Sequence, residues 1–348
     1  MSRIVWKAFS TALALGIAGV SFGGDGVTAQ ERDRAKAFLM AFETRKLVED
    51  KDVIALRRDL GGRVLPTLAE FLPDPALGPF AEMTMQQIDA RAATPYLLRA
   101  LHQKDGRAHN AVFRAANRAM IERALYVRRG APPVDPNARL APFPENTDPY
   151  PFTREVREAA IRHLESKRED RAVVAALTTL GLAGGAEDLP LIRRYVDPTT
   201  DWSRRDWSAD ASLAATAALV RLGDDDASNR IDRELKTPAK TVPARPYSKG
   251  GGKPIPPEPG AMVTEKGDGW RLRNACLIAG FSMNPRFVPL LAGHLDDPQG
   301  QHHGDYSDPD PSLYARQALT QIVDGRDYPD STKDWKAWWR DHAKDFAR

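Results

Sequence analysis

Apolar residues recur along this chain at helical spacing, and no stretch alternates with period two for long enough to make a sheet. Val156, Ala160, Ile161 and Leu164 form one stripe, Leu189, Ile192 and Val196 a second, and Ala315, Ala318, Leu319 and Ile322 a third. Each set falls on one face of a 3.6-residue spiral. Breaks at Gly61-Gly62, Gly184-Gly185, Gly223-Asp224-Asp225 and Asn284-Pro285 favour turns and caps over continued helix. The pattern predicts helices over residues 31–50, 52–60, 64–71, 80–88, 93–102 and 108–126, then shorter ones to the end. Helices joined by little more than turns make an array of helical hairpins.

The chain also repeats itself. At an offset of 99, Gly181 falls on Gly280, Leu189 on Val288, Pro190 on Pro289, Leu191 on Leu290, Ile192 on Leu291 and Asp197 on Asp296. At an offset of 100, Ser212-Leu213 falls on Ser312-Leu313, Ala215 on Ala315, Ala218-Leu219 on Ala318-Leu319 and Leu222 on Ile322. A one-residue change of offset inside a loop costs little. Each copy holds two hairpins: 173–182 with 189–196, then 212–222 with 228–235, answered by 270–281 with 287–295, then 313–323 with 333–346. Without the long loops the unit is roughly forty residues, the period of helical solenoids.

The proline in each second helix, LPLIRRYVDP and VPLLAGHLDDP, the Asp-Pro turn after it and the alanine-rich first helices SLAATAALVRLGD and SLYARQALTQIVD resemble the HEAT-repeat family. The ending DWKAWW, after the acidic lead-in 324–330, is similar to that of exported bacterial members. The resemblance covers about residues 171–346, and 52–126 weakly; it departs from the family in its long insertions and in lacking a regular Asp-Val at the start of each second helix. It implies an all-α fold, a right-handed α-solenoid of HEAT-like helical hairpins with long inter-helix insertions, whose usual role is to hold other molecules.

The expected organisation is a signal peptide over 1–29, a helical region with weak repeats over 30–130, a proline-rich connection over 131–152, repeats over 153–236, a proline- and glycine-rich loop over 237–266, and repeats with an aromatic capping helix over 267–348. In the signal segment Arg3 and Lys7 precede an apolar run from Ala8 to Val20, and small residues follow, with cleavage expected before Gln30 or, second, before Gly24. The run is about 13 residues, shorter than the roughly 20 of a spanning helix. The expected location is therefore periplasmic or extracellular, with no transmembrane segment after cleavage.

Composition narrows the function further. Lys plus Arg number 50 against 47 Asp plus Glu, a formal charge of +3, so no long-range field gathers nucleic acid or acidic lipid. The single cysteine, Cys276, excludes an intrachain disulfide and cysteine-built metal centres. No nucleophile elbow, phosphate loop or dinucleotide fingerprint is present, and no cofactor is expected.

Two insertions occupy the same place in the two copies, 197–210 and 296–311. Trp202, Arg204, Arg205 and Trp207 in the first, with His302, His303 and Tyr306 in the second, are the candidate partner-binding residues, because aromatic and arginine side chains favour binding hot spots. Covering helix ends is the competing role for the two tryptophans. His302, His303, Asp305, Asp308 and Asp310 are weak candidates for a metal. The expected function is an exported, non-enzymatic scaffold for a protein or extended polymer; the alternatives are a metal-assisted hydrolase or lyase using residues 302–310, and a structural subunit of an envelope complex. Trp335, Trp338, Trp339, His342 and Phe346 form a stripe expected to seal the last repeat.

Overall fold

The computed structural model describes residues 28–43, 61–74, 76–102, 108–129, 153–166, 172–204, 206–207, 209–248, 253–303, 307–325 and 331–346. The signal segment to residue 27, the helix expected over 52–60 and the connection over 131–152 lie outside them. The described chain is predominantly helical, and none of its helices is long and apolar enough to cross a membrane. It divides into two compact units, 1–115 and 116–348, so the boundary falls within one helix.

In the first unit α1 (Ala29–Glu43) starts at a reciprocal cap. The Glu31 amide donates to Thr28 Oγ1 at 3.2 Å and the Thr28 amide to Glu31 Oε2 at 2.9 Å. The bonds from Thr28 hold the Glu31 carboxyl below the usual carboxylate range. A cut before Gln30 removes this cap, and one before Gly24 keeps it. Next come α2 (Leu65–Glu70) and α3 (Gly78–Leu101), then the start of α4 (His109–Arg129). The helices expected over 80–88 and 93–102 are one helix. Pro95 lies within it on the exposed side, where carbonyls deprived of a backbone donor can bond water. Leu39, Leu65, Leu68, Met85, Leu97 and Phe113 are fully buried here.

The second unit contains the end of α4 and then α5 (Thr153–Glu165), α6 (Ala172–Ala183), α7 (Leu189–Arg193), α8 (Ala211–Arg221), α9 (Asp225–Lys236), α10 (Lys266–Ser282), α11 (Val288–Gly293), α12 (Pro311–Leu319) and α13 (Thr332–His342). The alanine-rich helices pack in sequence: α6 on α8, α8 on α10, α10 on α12. Pro190 and Pro289 stand in the first turns of α7 and α11, where a missing amide leaves no bond unmade.

The equivalences read from the repeat recur as contacts. A Cβ on Gly181 would lie 2.8 Å from Ala218 Cα, and one on Gly280 3.0 Å from Ala318 Cα. In both copies a bare glycine lets neighbouring helices approach at the same place. Asp210 caps α8, accepting from the Ser212 and Leu213 amides at 2.9 and 3.0 Å, and Asp310 caps α12, accepting from the Leu313 amide at 3.3 Å. Tyr195 donates its hydroxyl to the Leu164 carbonyl at 2.7 Å, and His294, its counterpart, puts Nε2 2.7 Å from the Leu235 carbonyl. Arginine to aspartate pairs tie successive second-row helices: Arg157 to Asp188 at 2.9 Å, Arg193 to Asp224, and Arg286 to Asp232.

The end of α4 runs across the row of alanine-rich helices α6, α8, α10 and α12. Asn117 donates to the Ala175 carbonyl at 2.9 Å and accepts from Thr179 at 2.8 Å. Farther along, Ile121, Ala124 and Leu125 pack on Met283, which takes a left-handed conformation (φ 54°) after α10. Arg128 and Arg129 donate to the carbonyls of Val323 and Gly325 at 3.1 and 2.7 Å. Gly325 has φ 62°, and a Cβ there would stand 2.7 Å from that of Arg128, so both backbone and neighbour require glycine.

The proline- and glycine-rich loop contains a two-stranded antiparallel ribbon, β1 (Thr241–Pro243) on β2 (Met262–Thr264), with Val242 opposite Val263. The sequence predicts no strand there. Three-residue strands carry too little alternation to register, and the pairing is fixed by contacts outside them. The Tyr247 and Ile255 backbones exchange bonds of 3.2 and 2.7 Å, and the Gln301 side chain bonds both the amide and the carbonyl of Arg245, at 2.8 and 3.0 Å.

Candidate functional site

The first insertion folds onto α10. Asn274, fully buried on that helix, donates Nδ2 to the Trp202 carbonyl at 3.0 Å and offers Oδ1 to the Trp207 amide at 3.4 Å. The Trp202 side chain is only 3% exposed, and the Arg230 guanidinium lies over its ring, 5.0 Å from the centroid. Burial lowers the Arg230 pKa. Of the two tryptophans, Trp202 belongs to the interior. Trp207 is half-buried, its ring 5.5 Å from that of Phe281. Arg221 covers the Phe281 ring at 5.3 Å and donates to its carbonyl; burial pulls the Arg221 guanidinium down to about 10, still charged at neutral pH. Arg204 is exposed and pairs with Asp201 at 3.3 Å, and Arg205 lies outside the described residues.

Arg273, one turn before Leu277 on α10, joins the first insertion to α12. Its guanidinium stands 4.9 Å from the centroid of Trp270 and 5.3 Å from that of Tyr314, the latter just beyond the second insertion on α12. The same group pairs with Asp206 of the first insertion at 3.3 Å. A cation between two rings is stabilised by both ring quadrupoles, each by about 0.5–2 kcal/mol. Trp207, Trp270, Arg273 and Tyr314 are all half-buried. Trp270, Arg273 and Tyr314 form an aromatic and arginine surface from two helices, which the first insertion meets through Asp206.

Trp270, Arg273, Asn274 and Tyr314 are absent from the sequence-derived candidates. Trp270 and Arg273 are three apart on one helix, a spacing visible in the chain, but Tyr314 arrives from another repeat and has no sequence signal linking it to them.

The second insertion rests on the ribbon and on the start of α10. Thr264 donates its amide to Gln299 at 3.0 Å and its hydroxyl to Pro298 at 2.6 Å. His302 places Nδ1 2.6 Å from the Ser307 hydroxyl and its ring 5.6 Å from that of Tyr247. His303 Nε2 lies 2.9 Å from the buried Asp308, whose other oxygen is 3.8 Å from Lys266. Asp310 serves as the α12 cap. Asp305 and Tyr306 lie outside the described residues. Among the described residues no group of three or more His, Cys, Asp or Glu side chains is placed to hold a metal ion.

The terminal stripe divides by depth. Trp335 and Phe346 are buried, and Trp338, Trp339 and His342 are half-buried, with Trp338 stacked on His342 at 4.7 Å. The helix packs on α11 and α12.

No protein-family model matches the chain, and neither a curated protein nor a solved structure does.

Proposed function

We propose that this chain is an exported, HEAT-like α-solenoid that acts as a binding scaffold for a protein or an extended polymer. The solenoid reading is supported by the ordered packing of α6, α8, α10 and α12 and by contacts that recur at the repeat offset. One observation carries the binding reading: Arg273 of α10 gathers Trp270 of the same helix, Tyr314 of α12 and Asp206, the neighbour of Trp207, on one half-buried surface. Large aromatic and arginine side chains give much contact area for little lost rotamer freedom, which is why they dominate hot spots.

The test is affinity capture from the native envelope fraction, comparing the wild-type mature chain with Tyr314→Ala. A partner held by the wild type should be lost or weakened at least tenfold in a variant whose melting is unchanged. Capture indifferent to Tyr314 and to Trp207→Ala refutes this surface as the site. Export has its own check, an amino-terminal peptide beginning at Gln30 or Gly24 in protein from the native host.

A further inference from the structure

The two copies join their second-row helices by different chemistry at one position. Tyr195 and His294 stand at the repeat offset of 99, and each reaches a carbonyl near the end of the preceding second-row helix, Leu164 on α5 and Leu235 on α9. Tyr195 does so with a hydroxyl, whose pKa burial pushes above the ordinary phenol value, so this bond undergoes no charge change near neutral pH. His294 is 6% exposed, and both of its ring nitrogens meet acceptors. Nε2 lies 2.7 Å from the Leu235 carbonyl and Nδ1 2.6 Å from the Asp297 carboxylate. Carbonyl and carboxylate oxygens only accept, so the two bonds coexist in the imidazolium, which carries a hydrogen on each nitrogen. A neutral ring has one N–H and sets a lone pair against an acceptor at the other bond. The bond to the carboxylate is the stronger of the two. Loss of a proton therefore bares Nε2 against Leu235.

The other charged groups on the elements around this joint have partners of their own or stand exposed. On α10, Arg271 pairs with Asp268 at 3.1 Å and with Glu234 of α9 at 3.6 Å, and Cys276 stays a thiol under the Asp297 charge. On α9, Arg233 and Lys236 are exposed, and Asp232 pairs with Arg286, just before α11. On α12, Arg316 donates to the Ser312 carbonyl at 3.3 Å. On α13, Lys336 pairs with Asp296, His342 lies 2.8 Å from the Trp338 carbonyl, and the remaining charges are exposed. Two ties outlast the imidazolium. Arg271 donates to the carbonyls of Glu234 and Thr237 at 2.5 and 3.0 Å, holding the end of α9 on α10, and Arg286 with Asp232 holds α9 to the start of α11. Only the far end of α11 is released, so the pair turns about a fixed point. We propose that the joint between α9 and α11 is a pH-operated hinge, closed while His294 bonds both Leu235 and Asp297 and relaxed as rising pH removes a proton from the ring. Imidazoles change charge at about pH 5–8, so the contribution is present in mild acid and lost toward alkaline pH. The matching joint at Tyr195 stays closed throughout.

The experiment places spin labels on Lys236→Cys and Gly293→Cys in the mature chain, at the ends of α9 and α11, and reads their separation by pulsed EPR across about pH 5.5–8.5. Both positions are exposed, and Cys276 is buried away from the label. Raising the pH should lengthen the mean separation by about 1–2 Å, the scale of helix shifts in switching proteins. Imidazole nitrogen shifts in NMR should show His294 losing its proton with the same midpoint. Two further variants remove the device. Asp297→Asn lets a neutral ring bond on both sides, Nδ1 accepting from the new amide N–H, and His294→Tyr copies the first joint, so in each the separation should be independent of pH. An unchanged separation in the chain that keeps His294 and Asp297 overturns the proposal, and so does the same lengthening in either variant. Should neither variant fold, the parent chain decides alone: a separation that changes at a midpoint other than that of His294, or a ring that keeps one protonation state throughout, overturns it.

Discussion

Filling the two equivalent glycines with a methyl group should have opposite sign to filling a third that faces open space. In a helix, Gly→Ala gains about 1 kcal/mol from backbone entropy alone. At Gly293, the last residue of α11, a new Cβ meets nothing within 4 Å among the described residues, so part of the gain should survive. At Gly181 the Cβ would sit 2.8 Å from Ala218 Cα and 3.3 Å from the Phe281 ring. Backbone, not a flexible side chain, must then give way, and such overpacking costs about 1–3 kcal/mol. The net at Gly181 is a loss of up to about 2 kcal/mol. Gly280→Ala should fall between, since its closest backbone neighbour is at 3.0 Å. Urea melts of the three variants, checked for a common slope, give the order directly. If Gly181→Ala stabilises as much as Gly293→Ala, the first-row helices are not in closest approach and the repeat contacts described above are wrong.

Three further outcomes follow from burial and bonding. Trp335→Ala should cost about 3–5 kcal/mol and Trp338→Ala clearly less, whereas Trp335→Phe, which removes an indole N–H that meets no acceptor among the described residues, should be mild; equal losses at Trp335 and Trp338 in denaturant melts would contradict the packing of α13. Asn274→Ala should cost about 1–3 kcal/mol and speed amide exchange at Trp207, because it frees the Trp202 carbonyl and the Trp207 amide; unchanged exchange there counts against the clamp. Cys276 is wholly buried, and burial, reinforced by the Asp297 charge, pushes its thiol well above the ordinary range. A thiol reagent at pH 8–9 should therefore leave the native protein unmodified and react once on unfolding, and fast native labelling would show the α10 environment to be open.

The helices were legible because their signals are local. The glycine and alanine positions of the two copies align in the chain before any contact is known, whereas Asp310, a metal candidate in the sequence, is the α12 cap. What stayed hidden depends on neighbours distant in sequence. Trp202 and Trp207 look alike in a loop rich in charge, yet Arg230 and Asn274 bring one inside and leave the other half-covered. A break is expected between residues 88 and 93, but the buried Ile88, Ala92 and Ala93 carry one helix through. The strands of the ribbon carry no alternation, and Gln301 from the second insertion clamps the backbone beside them. The seven prolines of that loop argue against helix, and its described residues before α10 hold none, but the prolines say nothing about which backbone groups pair.

The reach of α4 changes how this unit should come apart. A stack of repeats in which each touches only its neighbours frays from either end, one repeat after another. Here Arg128 and Arg129 bond carbonyls 195 and 196 residues away in sequence, while Asn117, some three turns earlier on the same helix, grips α6. The last first-row helix cannot peel away without losing those bonds and exposing Leu125 and Met283. Unfolding should consequently be cooperative across the second unit, with one exchange-protection plateau from α6 to α12 in place of a gradient. Contacts so distant in the chain also make for a high contact order and slow folding by the standards of helical proteins.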